Sequence, residues 1–118
     1  MIVDDEEDIR DSLRDVFEDE GYIVASAVNG HKGLEHLRSQ RAPCVIILDL
    51  MMPVMSGVEL YSLVKSESAL ASIPIIISTS DPSQAPEGSL IMQKPIDLDV
   101  MLATVASMCR LKHGPAGS

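Results

Sequence analysis

The sequence predicts a single α/β domain built on an open parallel sheet of five strands with helices on both faces. Short apolar runs alternate with amphipathic stretches in the order strand, helix, strand, helix. Two of the runs, Cys44 to Leu48 and Ile75 to Ser78, are continuous and rich in Val and Ile, as strands buried on both faces of a parallel sheet are. The runs also end on polar residues: Asp4 and Asp5 after the first, Asp49 after the third, Thr79 after the fourth and Lys94 after the fifth.

Met1 to Val3 reads as a short first strand. From Glu7 to about Glu20, Ile9, Leu13, Val16 and Phe17 recur at helical spacing, acids crowd the start where the helix dipole favours them, and Gly21 supplies the stop. Tyr22 to Ser26 has the β-branched character of an edge strand. Asn29 and Gly30 turn the chain into a short helix through Leu34 and Leu37, which Pro43 closes off. Gly57 to about Ser66 carries Leu60, Tyr61 and Val64 at helical spacing, with Ser56 as its cap. Leu90 to Met92 reads as the last strand and Asp97 to Lys112 as a closing helix. The domain therefore spans residues 1–112, and residues 113–118 are expected to form a loose tail.

At 118 residues the chain has room for one hydrophobic core and not for two. Only Phe17, Tyr22 and Tyr61 are aromatic, so aliphatic side chains must fill the core and no platform exists for stacking bases. A net charge of −9 repels phosphate backbones and anionic membrane surfaces, which argues against direct nucleic-acid or membrane binding and suits cations or basic partners. The start, MIVDDEEDI, is acidic where a signal peptide would be basic, and no apolar run reaches the length of a membrane span, so a cytoplasmic location is expected. Cys44 and Cys109 lack metal-site or secreted-scaffold spacing and are expected to be buried thiols. His31 and His36 are off the spacing that puts two ligands on one helical face, and Met51, Met52 and Met55 read as loop packing.

In an open parallel sheet the C-terminal strand ends share one edge, and ligands bind where the strand order reverses. With right-handed crossovers, an order 2-1-3-4-5 sets the first and third strands side by side there. Asp4, Asp5 and Asp49 then converge. Each residue alone has a commonplace reading as a turn, cap or surface residue; four strands ending in acids, a hydroxyl and a lysine on one edge favour a site. Three adjacent carboxylates need a cation, and a cluster of hard oxygen ligands suits Mg2+. Such an ion bridges carboxylates and a phosphoryl group, while Lys94 and Thr79 take up charge on its oxygens and Asp49 serves as nucleophile.

The segments VDDEED, IILDLMMPVMSG, PIIISTS and QKPID, in this order over almost the whole chain, resemble the motifs of response-regulator receiver domains. The resemblance implies a flavodoxin-like, CheY-like sheet and a phosphorylation-dependent switch of a two-component phosphorelay. It implies Asp49 as phosphoacceptor; Asp4, Asp5, Asp49 and the Met51 backbone carbonyl as ligands of Mg2+; Thr79 as the switching hydroxyl; Lys94 as the phosphate-contacting lysine; and a cis Lys94–Pro95 bond. The implied partners are a sensor histidine kinase or phosphotransfer protein and a downstream effector protein. Such a domain catalyses only its own phosphorylation and dephosphorylation.

Two departures stand out. Ile91 occupies the switch position where the family often has Tyr or Phe. The stretch between Thr79 and Lys94 contains Pro82, Pro86 and Gly88, and a regular helix of about eleven residues does not fit there, so the fourth helix is expected to be shortened or missing. These departures favour, as the alternative, a receiver-like interaction adaptor that works without phosphorylation. A magnesium-dependent phosphohydrolase resembling the haloacid dehalogenase family ranks lower, because that family has a second Asp where Met51 stands.

Overall fold

The computed structural model describes residues 1–52 and 54–117, with side chains described as far as Cys109. In chain order the elements are β1 (Ile2–Val3), α1 (Glu7–Asp19), β2 (Ser26–Ala27), α2 (Gly30–Ser39), β3 (Ile46–Asp49), α3 (Gly57–Ser66), β4 (Ile75–Thr79), a 3-10 turn (Pro82–Gln84), β5 (Leu90–Gln93) and α4 (Leu98–Gly117). All strands are parallel, in the order β2-β1-β3-β4-β5. The sheet and its order are those the sequence predicts.

Alternation along the central strands builds two cores. Val3, Ile46, Leu48, Ile75 and Ile77 face Leu34 and Leu37 of α2 and Leu60 and Val64 of α3. Ile2, Ile47 and Ile76 face Leu13 and Phe17 of α1 and Met101 and Val105 of α4. The same alternation directs Asp4 and Asp49 toward the α1/α4 side, because each lies two residues beyond a strand residue of that core.

Local signals set the ends of the helices. Asn29 caps α2 by accepting the Lys32 N–H at 2.8 Å, and Ser56 caps α3 in a reciprocal arrangement with Glu59. Gly21, at φ +95°, carries the chain out of α1.

Between β4 and β5, Asp81 starts the single 3-10 turn by accepting the Ser83 N–H, and no longer helix forms among the described residues there. The fourth helix expected to be reduced is reduced to this turn. Its loss leaves β5 poorly covered: Leu90 is 42% and Ile91 38% exposed, whereas β4 is buried throughout.

Two expectations are corrected. The edge strand predicted over Tyr22 to Ser26 is confined to Ser26–Ala27, because β1 offers only Ile2 and Val3 to pair with it, and Ile23 is left fully exposed. Cys44 and Cys109 are not free thiols but a disulfide. The closing helix runs past the boundary placed at residue 112, as far as Gly117, where a loose tail was expected; Ser118 lies outside the described residues. Among the described residues no helix is long and apolar enough to cross a membrane.

Candidate phosphoacceptor and metal site

Each candidate side chain stands where an apolar strand runs out. Asp49 is the last residue of β3 and Thr79 the last of β4; Asp4 and Asp5 follow β1, and Lys94 follows β5. Parallel pairing of β1 with β3 brings the first three together, and carboxylate oxygens of Asp4, Asp5 and Asp49 all lie within 4.8 Å of one another. Asp4 and Asp49 are buried, and Asp5 is the most open of the three.

Lys94 closes the cluster from the far side of β4. Its Nζ lies 3.1 Å from Asp4 Oδ2 and 3.6 Å from both Asp49 Oδ1 and Glu6 Oε1. The Lys94 N–H donates to the Thr79 carbonyl at 2.8 Å, which fixes the end of β5 against β4, and the Lys94–Pro95 peptide is cis. Burial alone would lower the pKa of Lys94, but the hydrogen bond to Asp4 and the charges of Asp4, Asp49 and Glu6 outweigh it and hold the value above the ordinary lysine one.

Asp49 is pushed up to about 6, first by burial and then by the charge of Asp4, against the opposing pull of Lys94 and the Met51 N–H. The sign of the consequence is definite. Between its ordinary 3.8 and about 6 the native chain keeps a proton that the unfolded chain releases, so stability without a cation falls as pH rises through that window. Asp49→Asn in the presence of a chelator is therefore expected to raise the melting temperature at pH 8 and to change it little below pH 4. Thermal melts at the two pH values check this.

Thr79 is brought to the same edge but not into the charge cluster. Its side chain is fully buried, its Oγ1 accepts the Asp81 N–H at 3.1 Å, and the register sets Thr79 beside Gln93 and Ile77 beside Ile91. Thr79 and Ile91 thus share one face of the sheet. Met51 is 62% exposed, and its N–H points to Asp49 Oδ1 at 3.5 Å. His31 pairs with Glu35 on the exposed face of α2.

Two contributors escape the sequence reading. Arg10, on α1, donates to the Asp4 backbone carbonyl at 2.8 Å and so holds the loop that carries the acidic pair. Gly57 begins α3 directly against the backbone of Asp49; a Cβ there would lie 2.1 Å from the Asp49 carbonyl oxygen and 2.6 Å from Leu50 Cα. Its signal was present, since a glycine after Ser56 is unneeded for capping.

Residues 1–106 match the model of the response regulator receiver domain. Over 117 residues the chain is 34% identical to the CAI-1 autoinducer sensor kinase/phosphatase CqsS of Vibrio cholerae, covering 91% of this chain and 17% of that protein. It is 31% identical to the polar-differentiation response regulator DivK of Brucella anthropi, covering 91% of this chain and 92% of DivK. The chain spans between 12% and 48% of the length of the first curated relatives it matches. Among solved structures, the response regulator TrrA of Thermotoga maritima, in complex with Mg2+ and BeF, superposes with a TM-score of 0.79 at 27% identity over 91% of this chain and 95% of TrrA. Fold, strand-end chemistry and these likenesses agree: the chain belongs to the response regulator receiver domain family, the phosphorylation switches of two-component signalling.

Proposed function

We propose that the domain accepts a phosphoryl group on Asp49 from a phosphohistidine of a sensor kinase or phosphotransfer protein, and that Asp4, Asp5, Asp49 and the Met51 carbonyl hold Mg2+ for the transfer. The observation that carries this reading is the convergence of three carboxylates within 4.8 Å, with the Lys94 ammonium 3.1 Å from Asp4 and 3.6 Å from Asp49. The donor set fits the ion: hard oxygens, a surplus of negative charge, and an Asp49 carboxylate whose pKa is pushed up by burial and by the charge of Asp4. The bound ion would neutralise charge on the carboxylates and on the incoming phosphoryl oxygens.

The chain's own residues do the rest. An Asp49 carboxylate oxygen attacks phosphorus; the new P–O bond forms as the P–N bond to the donor imidazole breaks, and the imidazole leaves as a neutral base after taking a proton. Lys94 turns from Asp4 toward the phosphoryl oxygens. The Thr79 hydroxyl, which donates to the Asp81 carbonyl at 3.4 Å, redirects that proton to a phosphoryl oxygen, which loosens the segment beginning at Asp81. With Ile91 in place of an aromatic ring, that segment and the uncovered face of β5 carry the change to a downstream effector protein.

Incubation with acetyl phosphate and Mg2+ tests the reading. One labile phosphate per chain is expected by intact mass, with none in Asp49→Asn and none with a chelator. An unmodified wild-type chain, even with a phosphohistidine donor, would instead favour the phosphorylation-independent adaptor.

A further inference from the structure

The disulfide between Cys44 and Cys109 lies away from the acidic pocket: Cys44 precedes β3, whose opposite end carries Asp49. The two Cα atoms are 5.0 Å apart, within the ordinary disulfide span. The bond ties α4 to the sheet at a place where the helix is already seated, for Met101, Val105 and Cys109 belong to one buried cluster with Ile47 and Ile76. The helix therefore has a docking surface with or without the bond.

The two cysteines are unequally exposed. Cys109 is 8% exposed, whereas Cys44 is half-buried. A cavity of about 80 Å³ lies beside both, lined also by Met1, Phe17, Tyr22 and the fully exposed Ile23, so the bond is not sealed within the core.

We propose that Cys44 and Cys109 form a reversible dithiol–disulfide couple, a redox modification site that sets how firmly α4 is tied to the sheet. In the closing direction the Cys44 thiolate attacks a small-molecule disulfide, forming a mixed disulfide and expelling one small thiolate. The Cys109 thiolate then attacks the Cys44 sulfur and expels the second. Two protons and two electrons leave the protein thiols, and the small disulfide is reduced to two thiols. A reducing thiol reverses the sequence, entering at Cys44 and releasing Cys109.

The bond joins residues 65 apart in sequence, so its loss frees a long loop in the unfolded chain. The test equilibrates the protein in glutathione buffers from fully reduced to fully oxidised, reading thiol content by alkylation and mass, stability by thermal melt, and α4 by amide hydrogen exchange. A single transition between the two-thiol and disulfide forms is expected. The reduced form should melt lower by about 10 °C or more and exchange faster in α4. Cys44→Ser should behave as the reduced form in every buffer, and the reduced wild type carries the same comparison without any substitution. A bond that survives the most reducing buffer, thiols that persist in the most oxidising one, or a transition that leaves α4 exchange unchanged would each overturn the proposal.

Discussion

Asp4→Asn is expected to weaken Mg2+ binding by at least tenfold, on the order of the 10- to 100-fold cost of disturbing a metal site, and to slow acetyl phosphate labelling in proportion at limiting Mg2+. Asp4 makes both local contacts of consequence: Oδ1 accepts the Glu6 N–H at 2.8 Å and Oδ2 accepts from Lys94 at 3.1 Å. An amide can keep the first contact. It cannot keep the charge, and its NH2 would face the Lys94 ammonium. The substitution thus removes one of three negative charges while sparing the loop, which separates loss of the ion from loss of the fold. Isothermal titration with Mg2+ and an unchanged melting temperature would confirm both halves; wild-type Mg2+ affinity would remove Asp4 from the ligand set.

Gly57→Ala is expected to destabilise the domain by about 3 kcal/mol or more and lower its melting temperature by roughly 10 °C. The obstacle is backbone, not a flexible side chain: the added methyl would meet the Asp49 carbonyl oxygen, Leu50 Cα and the Asp49 carbonyl carbon, all closer than 3.0 Å. The Gly57 N–H also donates to the Leu50 carbonyl at 3.0 Å, so α3 cannot back away without losing that bond. Because two of the three obstructing atoms belong to Asp49, the proposed phosphoacceptor, labelling should fall with stability. Denaturant unfolding checks the first effect. A variant as stable as the wild type would show that α3 can tilt away from β3.

The sheet and its reactive edge were legible because apolar runs and their polar ends report separate things. Ile46 to Leu48 and Ile75 to Ile77 must be covered on both faces, and Asp49 and Thr79 mark where that cover stops. The reduced fourth helix was legible because Pro82 and Pro86 cannot donate the backbone bonds a helix needs.

Other features depend on tertiary geometry. The pairing of Cys44 with Cys109 joins a strand entrance to a distant helix, and no spacing rule connects them. Tyr22 to Val24 has strand composition, but the partner strand is too short to pair with it. Arg10 resembles any charged residue on α1 until the fold brings the Asp4 carbonyl within its reach. Electrostatics shows the same division. That three acids would strain one another followed from their placement, whereas the upward shift of Asp49, set first by burial and then by the charge of Asp4, depends on the folded surroundings of that carboxylate.

The most direct test of Asp49 as phosphoacceptor is to trap the acyl phosphate chemically. After labelling with acetyl phosphate and Mg2+, borohydride reduction converts an aspartyl phosphate to homoserine, which tandem mass spectrometry locates in the sequence. Homoserine at position 49 alone is the predicted result; homoserine at another aspartate, or none despite a phosphate mass gain, would contradict it.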